Sequence, residues 1–256
     1  MMLTTSAGHA GEPIRFEAPG GALTGVIVRP AGARPYPAVL ALHGCGGLYR
    51  RDGRTLSSRH DDWADRLVAA GFLVLFADSF SARALAEICR HADHSVTPRV
   101  RADDAQAALT WLAGQPGVDR DRLYVIGWSH GAMSLLWLLR PGFLDGAPRI
   151  KSAIAFYPGC REIARQDDWR PSAPLTVLAG AADDWTDPAP CAALSAKAGF
   201  RFIAYPGAYH GFDAPASPVR LTRGLARVPG GTAHVGTDPA ARAAAITEVM
   251  DLLTRP

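Results

Sequence analysis

The sequence predicts an α/β fold, one domain with a mostly parallel central sheet and helices on both faces. Three observations predict it. Short runs of uninterrupted apolar residues recur along the chain, they alternate with longer stretches of helical periodicity, and glycine and proline mark the junctions. A strand buried on both faces needs apolar residues at every position, and strands that alternate with helices pair in parallel. The length of 256 residues, with 48% apolar and 20% charged residues, suits one large domain, although two small ones also fit it. A chain of this size buries a substantial core without covalent staples.

The elements follow in order. Residues 1–13 are expected to be poorly ordered, and a short strand should lie around 14–16. Leu23–Val28 is the first clear strand. Pro35 and Pro37 lead into an apolar run at 38–42, which ends in the loop His43-Gly44-Cys45-Gly46-Gly47. A helix at 61–70 is stopped by Gly71, and a buried strand at 72–77 ends at Asp78. Thr97 and Pro98 read as a cap and a first-turn proline. The helix they open carries Val100, Ala105, Ala108, Leu109 and Leu112 on one side. A strand at 123–126 is followed by a helix at 129–139, stopped by Pro141-Gly142. Strands at 150–157, 175–179 and 200–205 and helices at 189–198 and 240–253 complete the pattern. The segment 214–239, rich in Gly, Pro and Arg, is either a pocket flap or a plain connection.

Bulk properties exclude several classes. The net charge is +3 with no block of consecutive basic residues, which gives no case for a nucleic-acid partner. No apolar run approaches the ~18 residues needed to span a bilayer, so no membrane association is expected. The first 20 residues lack a basic stretch followed by an apolar one, so no signal peptide is expected and the cytoplasm is the default compartment. Lysine occurs only at positions 151 and 197 and asparagine nowhere, which removes any N-glycosylation site. The cysteines Cys45, Cys89, Cys160 and Cys191 form no Cys-x-x-Cys, so no metal site is expected. In a cytoplasmic chain they read as buried thiols, with two disulfides as the other arrangement.

The chemistry centres on Gly127-Trp128-Ser129-His130-Gly131. The pattern Gly-x-Ser-x-Gly is weak alone, but here it lies between a buried strand and an apolar helix, the setting of a nucleophile elbow. The turn is tight enough to demand glycine on both sides, and the helix N-terminus favours negative charge developing beside it. The bland alternative is a strand-to-helix turn with a serine cap. A serine hydroxyl needs a base to take its proton. Of eight histidines, His210 follows the strand at 200–205 in the loop Pro206 to Phe212, the place such a base should occupy. His43 and His130 more readily shape the pocket, His91 and His94 precede a helix, and His9, His60 and His234 have no strand-end setting. A carboxylate that fixes the imidazole should follow the strand at 175–179. Asp183 is the choice there, Asp184 the runner-up, and Asp187 lies too far along. Backbone amides should stabilise an oxyanion. His130, directly after the serine, supplies one, and Cys45 supplies the other through its amide and not its thiol. Trp128, Trp185, Tyr157 and Phe212 could line an aromatic pocket or belong to the core.

With these residues in place the chain resembles the dienelactone hydrolase family, of the α/β-hydrolase fold, over roughly residues 16–253. The resemblance rests on His43 to Gly47, Asp78-Ser79-Phe80-Ser81-Ala82-Arg83, Gly127 to Gly131, Tyr157-Pro158-Gly159-Cys160, Gly180 to Trp185, Tyr209-His210-Gly211-Phe212-Asp213 and Gly236 to Arg242. It implies hydrolysis of a small-molecule ester or lactone without cofactor; the expected state is a monomer or homodimer. The founding enzymes of that family use a cysteine nucleophile, whereas position 129 here is serine. Arg83 matches a position suited to binding a substrate carboxylate, and a surface arginine fits it as well. Cys160 and Cys191 both follow strand ends near the site and could pair, which would return an oxidising compartment.

Two other readings compete. Gly44-x-Gly46 after a strand and Asp78 at the end of the next suggest a dinucleotide-binding oxidoreductase, but Tyr49 stands where the third glycine is needed. A non-catalytic binding protein of the same fold is the other.

Overall fold

A computed structural model describes residues 11–92 and 95–255. His9 and His94 lie outside them, as does most of the segment expected to be poorly ordered. Glu12 and Pro13, at its end, are already in a strand.

Eight strands form one sheet. They are β1 (Glu12–Phe16), β2 (Leu23–Val28), β3 (Tyr36–Leu42), β4 (Leu73–Asp78), β5 (Val118–Trp128), β6 (Ser152–Phe156), β7 (Leu175–Gly180) and β8 (Arg201–Tyr205). Their spatial order is β1-β2-β4-β3-β5-β6-β7-β8. The pairs from β4 through β8 are parallel, and β2 joins antiparallel to β4 and to β1. The strands β3 and β5 are longer than the apolar runs that announced them, because their first residues are partly exposed, where polar residues such as Asp119 and Arg120 are tolerated.

Helices cover both faces. They are α1 (Ser58–Ala69), α2 (Pro98–Ala113), α3 (His130–Leu138), α4 (Ala189–Ala198) and α5 (Pro239–Thr254). Side chains alternate along each strand, so the sheet feeds two separate cores. Leu40, Leu75 and Val125 face Ala105, Leu109 and Leu135 of α2 and α3. Val39, Phe76 and Tyr124 face Trp63 and Leu67 of α1 and Val249 of α5. The cap expected for α2 is present, with Thr97 Oγ1 accepting from the Val100 amide at 3.3 Å. None of the described helices is long and apolar enough to cross a membrane.

Three expectations are corrected. The segment 214–239 is not a bare loop, because β9 (Arg220–Arg223) and β10 (Thr232–Val235) pair within it as an antiparallel hairpin. Its short strands are mostly exposed or half-buried on both faces, so they carry no clear apolar alternation for the sequence to show. The cysteines are not thiols, since Cys45 bonds to Cys89 and Cys160 to Cys191. Finally, the Gly44-x-Gly46 loop does not open a helix, since α1 begins only at Ser58. A dinucleotide pyrophosphate would therefore find no helix N-terminus at that turn.

The bridges enclose 44 and 31 residues of sequence separation, which for loops of that length stabilises the fold by about 3–4 kcal/mol each on a chain-entropy account. Native protein should therefore give no signal with a thiol reagent such as Ellman's, and four thiols after reduction in denaturant. The Cys160→Ser/Cys191→Ser double variant should lose about 2–4 kcal/mol in urea unfolding. Full thiol reactivity in the native state would refute the pairing.

Candidate active site

Ser129 sits between β5 and α3 with φ 52° and ψ −116°. A non-glycine residue held at positive φ is strained by about 1–3 kcal/mol and persists only where its surroundings fix it. They do so here. The Ser129 amide donates to the Phe156 carbonyl at 2.9 Å, and its carbonyl accepts from Met133. At Gly131 a Cβ would collide with the Leu42 and His43 carbonyls, and at Gly127 one would meet the Gly131 carbonyl at 2.7 Å. Gly131 lets α3 pack directly on the end of β3, and Gly127 lets the first turn of α3 close over β5.

His210 Nε2 lies 3.0 Å from Ser129 Oγ, and His210 Nδ1 lies 2.8 Å from Asp183 Oδ2. All three residues are buried. The remaining Asp183 lone pairs are filled by the Trp185 and Thr186 amides, both at 2.9 Å, and by Thr186 Oγ1. Burial pushes the Asp183 carboxyl up, but the His210 charge and hydrogen bond and these amides outweigh it and hold the group below the usual carboxylate value. The imidazole is flanked by the Tyr157 and Trp185 rings at 4.5 and 4.7 Å. The hairpin backs it from behind, through a bridge between His210 and Val235 and a bond from the Gly236 amide to the His210 carbonyl.

Asp184 and Asp187 face elsewhere. Asp184 takes the His234 amide and ring nitrogen, each at 2.8 Å. Asp187 pairs with Arg161 and caps α4 through the Ala189 amide. Thr186 was not singled out by sequence, and its only signal was its place one turn past Asp183. Its hydroxyl lies near Asp183, His210 Nδ1 and the Tyr157 carbonyl.

A cavity of about 880 Å³ opens over Ser129. Ile88, Met133 and Trp185 give it apolar surface, Arg99, Arg227 and Glu162 charge its rim, and Cys45, Cys89 and Cys160 put both disulfides in its walls. Arg227 and Pro229 come from the hairpin segment, so that segment forms part of the wall. Of the five expected substrate-contacting residues, only Trp185 lines this cavity. Trp128, Tyr157 and Phe212 are at most 1% exposed and lie beneath the site in the core. Arg83 is spent on Asp104, with two bonds of 2.8 Å, and on the Ser79 carbonyl. Among the described residues no cluster of His, Cys, Asp and Glu is arranged to hold a metal ion.

Beneath the triad lies a feature that sequence reasoning missed. The Asp213 carboxylate is fully buried and accepts from Arg59 Nε, Trp63 Nε1, Trp128 Nε1 and Tyr157 Oη at 3.1, 2.9, 2.9 and 2.6 Å. Burial raises the Tyr157 phenol well above its ordinary value, so it stays protonated and donates. His60 packs edge-on to Trp128, with its Nδ1 shared between Ser57 and the Leu48 carbonyl and its Nε2 buried without a partner among the described residues. Burial lowers its pKa from 6.5 to about 4.

A model of the dienelactone hydrolase family matches residues 23–255. A comparison with curated proteins gives no match. Several solved structures are similar. A dienelactone hydrolase-like promiscuous phosphotriesterase from metagenomic libraries is 22% identical, over 96% of this chain and 98% of its own, with a TM-score of 0.66. A putative dienelactone hydrolase from Klebsiella pneumoniae is 16% identical, over 96% and 100%, with a TM-score of 0.69. An esterase from Pyrobaculum calidifontis is 21% identical, over 80% and 79%, with a TM-score of 0.58. At these identities the likeness establishes the fold.

Two outcomes are expected. Asp213→Ala strands one guanidinium and three buried donors, so it should cost about 3–5 kcal/mol in denaturant unfolding; a cost under 1 kcal/mol would show that the carboxylate organises nothing. His60 is neutral when folded and gains a proton when unfolded, so the stability it supports is complete above pH 6.5 and is lost as pH falls toward about 4. At about 1.4 kcal/mol per pH unit the loss is about 3 kcal/mol. His60→Leu should flatten that part of the stability profile, and an unchanged slope would assign it to other groups.

Proposed function

Because the chain belongs to the dienelactone hydrolase family and is a hydrolase, we propose that it cleaves a small carboxylic ester or lactone through an acyl-enzyme on Ser129. The observation that carries this reading is the unbroken line of hydrogen bonds from Asp183 through His210 to Ser129, at 2.8 and 3.0 Å. Its order in the chain is serine, acid, histidine, as the fold's nucleophile elbow requires.

Ser129 Oγ attacks the carbonyl carbon as His210 Nε2 takes its proton. The two amide donors, Cys45 and His130, receive the negative charge that develops on the carbonyl oxygen. Asp183 keeps the Nδ1 proton on the imidazole and stabilises its charged form, aided by the faces of Tyr157 and Trp185. His210 then protonates the leaving alkoxide, and a water activated by the same imidazole releases the acid. No cofactor is required. The disulfide pairing favours an oxidising compartment over the cytoplasm expected from the sequence.

Incubation with a fluorophosphonate probe, followed by peptide mass spectrometry, should place the adduct on Ser129. Ser129→Ala should not be labelled and should lose at least about 10⁴-fold in kcat on short-chain esters or lactones. Folded wild-type protein that resists the probe would move the reading to a non-catalytic binding protein.

A further inference from the structure

Arg101, in the first turn of α2, is 1% exposed, one of the most deeply buried charged side chains among the described residues. Taking a guanidinium out of water is costly, and the usual compensation is a carboxylate bonded to it. The nearby carboxylate Asp104 is instead engaged by Arg83. Arg101 gives its hydrogen bonds to two neutral acceptors. Nη2 donates to the His43 carbonyl at 2.7 Å and Nη1 to His130 Nδ1 at 2.9 Å, while Nε has no partner among the described residues. The face of Phe80 lies 5.0 Å from the guanidinium carbon. Burial lowers its pKa from 12.5 to about 10, which leaves it charged at neutral pH.

The identity of those two acceptors is informative. His130 immediately follows the nucleophile. The His43 carbonyl belongs to the peptide just before Gly44, at the start of the loop that carries Cys45. That loop is locked a second way. The Ser79 amide can only donate, so His43 Nε2, 3.3 Å away, is an acceptor. Its proton is therefore on Nδ1, which donates to the Gly44 carbonyl at 2.8 Å. In a trans peptide the N–H points opposite to the C=O, so this bond turns the Cys45 amide away from the His43 ring. A strut that only tied α2 to the sheet would need one backbone contact. Arg101 makes one bond to each of the two segments that carry the oxyanion donors.

We propose that Arg101 is a positioning residue for the oxyanion hole: by holding the His43 carbonyl and the His130 ring on one rigid guanidinium, it sets the spacing of the Cys45 and His130 amides. The planar fork matters as well as the charge, since a lysine ammonium reaches both acceptors with no fixed angle between its donors. The inference rests on the proposed acyl-enzyme reading.

The test compares wild type with Arg101→Met, Arg101→Lys and His130→Ala. Hydrolysis of a p-nitrophenyl ester gives kcat and KM, and an aryl trifluoromethyl ketone, whose adduct with serine bears an oxyanion, gives an inhibition constant. Arg101→Met should lower kcat by about 10²-fold with KM within about threefold, and should weaken ketone inhibition in proportion to kcat. Arg101→Lys should recover part of both. A merely structural role would lower the melting temperature while the folded fraction kept wild-type kcat and ketone affinity. That result in Arg101→Met overturns the proposal. If the Arg101 variants fail to fold, His130→Ala decides, because it keeps the buried cation and cuts one of its two bonds. An about tenfold fall in kcat with matching loss of ketone affinity supports the proposal, and unchanged values overturn it. Wild-type protein that neither hydrolyses ester nor labels with fluorophosphonate removes the acyl-enzyme reading and this inference together. Active wild type with indifferent variants removes this inference alone.

Discussion

The arrangement around Ser129 depends on one buried anion. Asp213 lies three residues after His210 and collects donors from α1, from the end of β5 and from the turn after β6. Its backbone carbonyl also accepts from Arg242 of α5. A carboxylate without solvent is tolerable only when its lone pairs are filled, and four donors fill them. The result is mutual constraint. Trp128, fixed by its indole N–H, is the residue before the nucleophile. Tyr157, fixed by its hydroxyl, presents its ring to His210. The strain at Ser129 and the orientation of His210 are therefore held by a common group that touches neither reacting atom.

A buried cation stands in the opposite role. Asp183 puts fixed negative charge beside the imidazole, while Arg101 puts fixed positive charge beside the segments that carry the proposed oxyanion donors. In the proposed reaction each place receives the opposite sign, positive charge on the imidazole and negative charge on the carbonyl oxygen. A site whose charges are set before the reaction avoids the reorganisation that water would need. Sheet topology makes the arrangement possible, because β3 and β5 are adjacent and their carboxyl ends deliver His43 and Ser129 side by side.

The fold and the meeting of Ser129, Asp183 and His210 were legible because each depends on local sequence. Apolar runs mark the parallel strands, and the order of strand ends places Ser129, Asp183 and His210 in one line. The choice between Asp183 and Asp184 rested on position, and the hydrogen bonds agree with it. What was hidden depends on partners far away in the chain. Arg101 sits among Arg99, Asp103 and Asp104, where a helix usually shows its solvated face, and only the approach of His43 and His130 gives it a task. Trp128, Tyr157 and Phe212 looked like pocket residues because they adjoin the motifs, but all three turn into the core shared with α1 and α5. The disulfides were obscured by an argument about compartment, and the hairpin by the exposure of its short strands, which leaves no clear apolar alternation to read.

The two disulfides both line the cavity, one from the loop after β3 and the other from beyond β6. The shape of the entrance is thus inherited through covalent bonds, whereas the shape of the reacting centre is inherited through packing and buried charge. These two kinds of inheritance respond to mutation differently. Residues of the entrance loops lie away from the hydrogen bonds that join Ser129, His210 and Asp183, whereas exchanging Asp213 strands the donors that fix Trp128 and Tyr157 beside them. A protein built this way is free to change which substrate it admits while keeping what it does to that substrate.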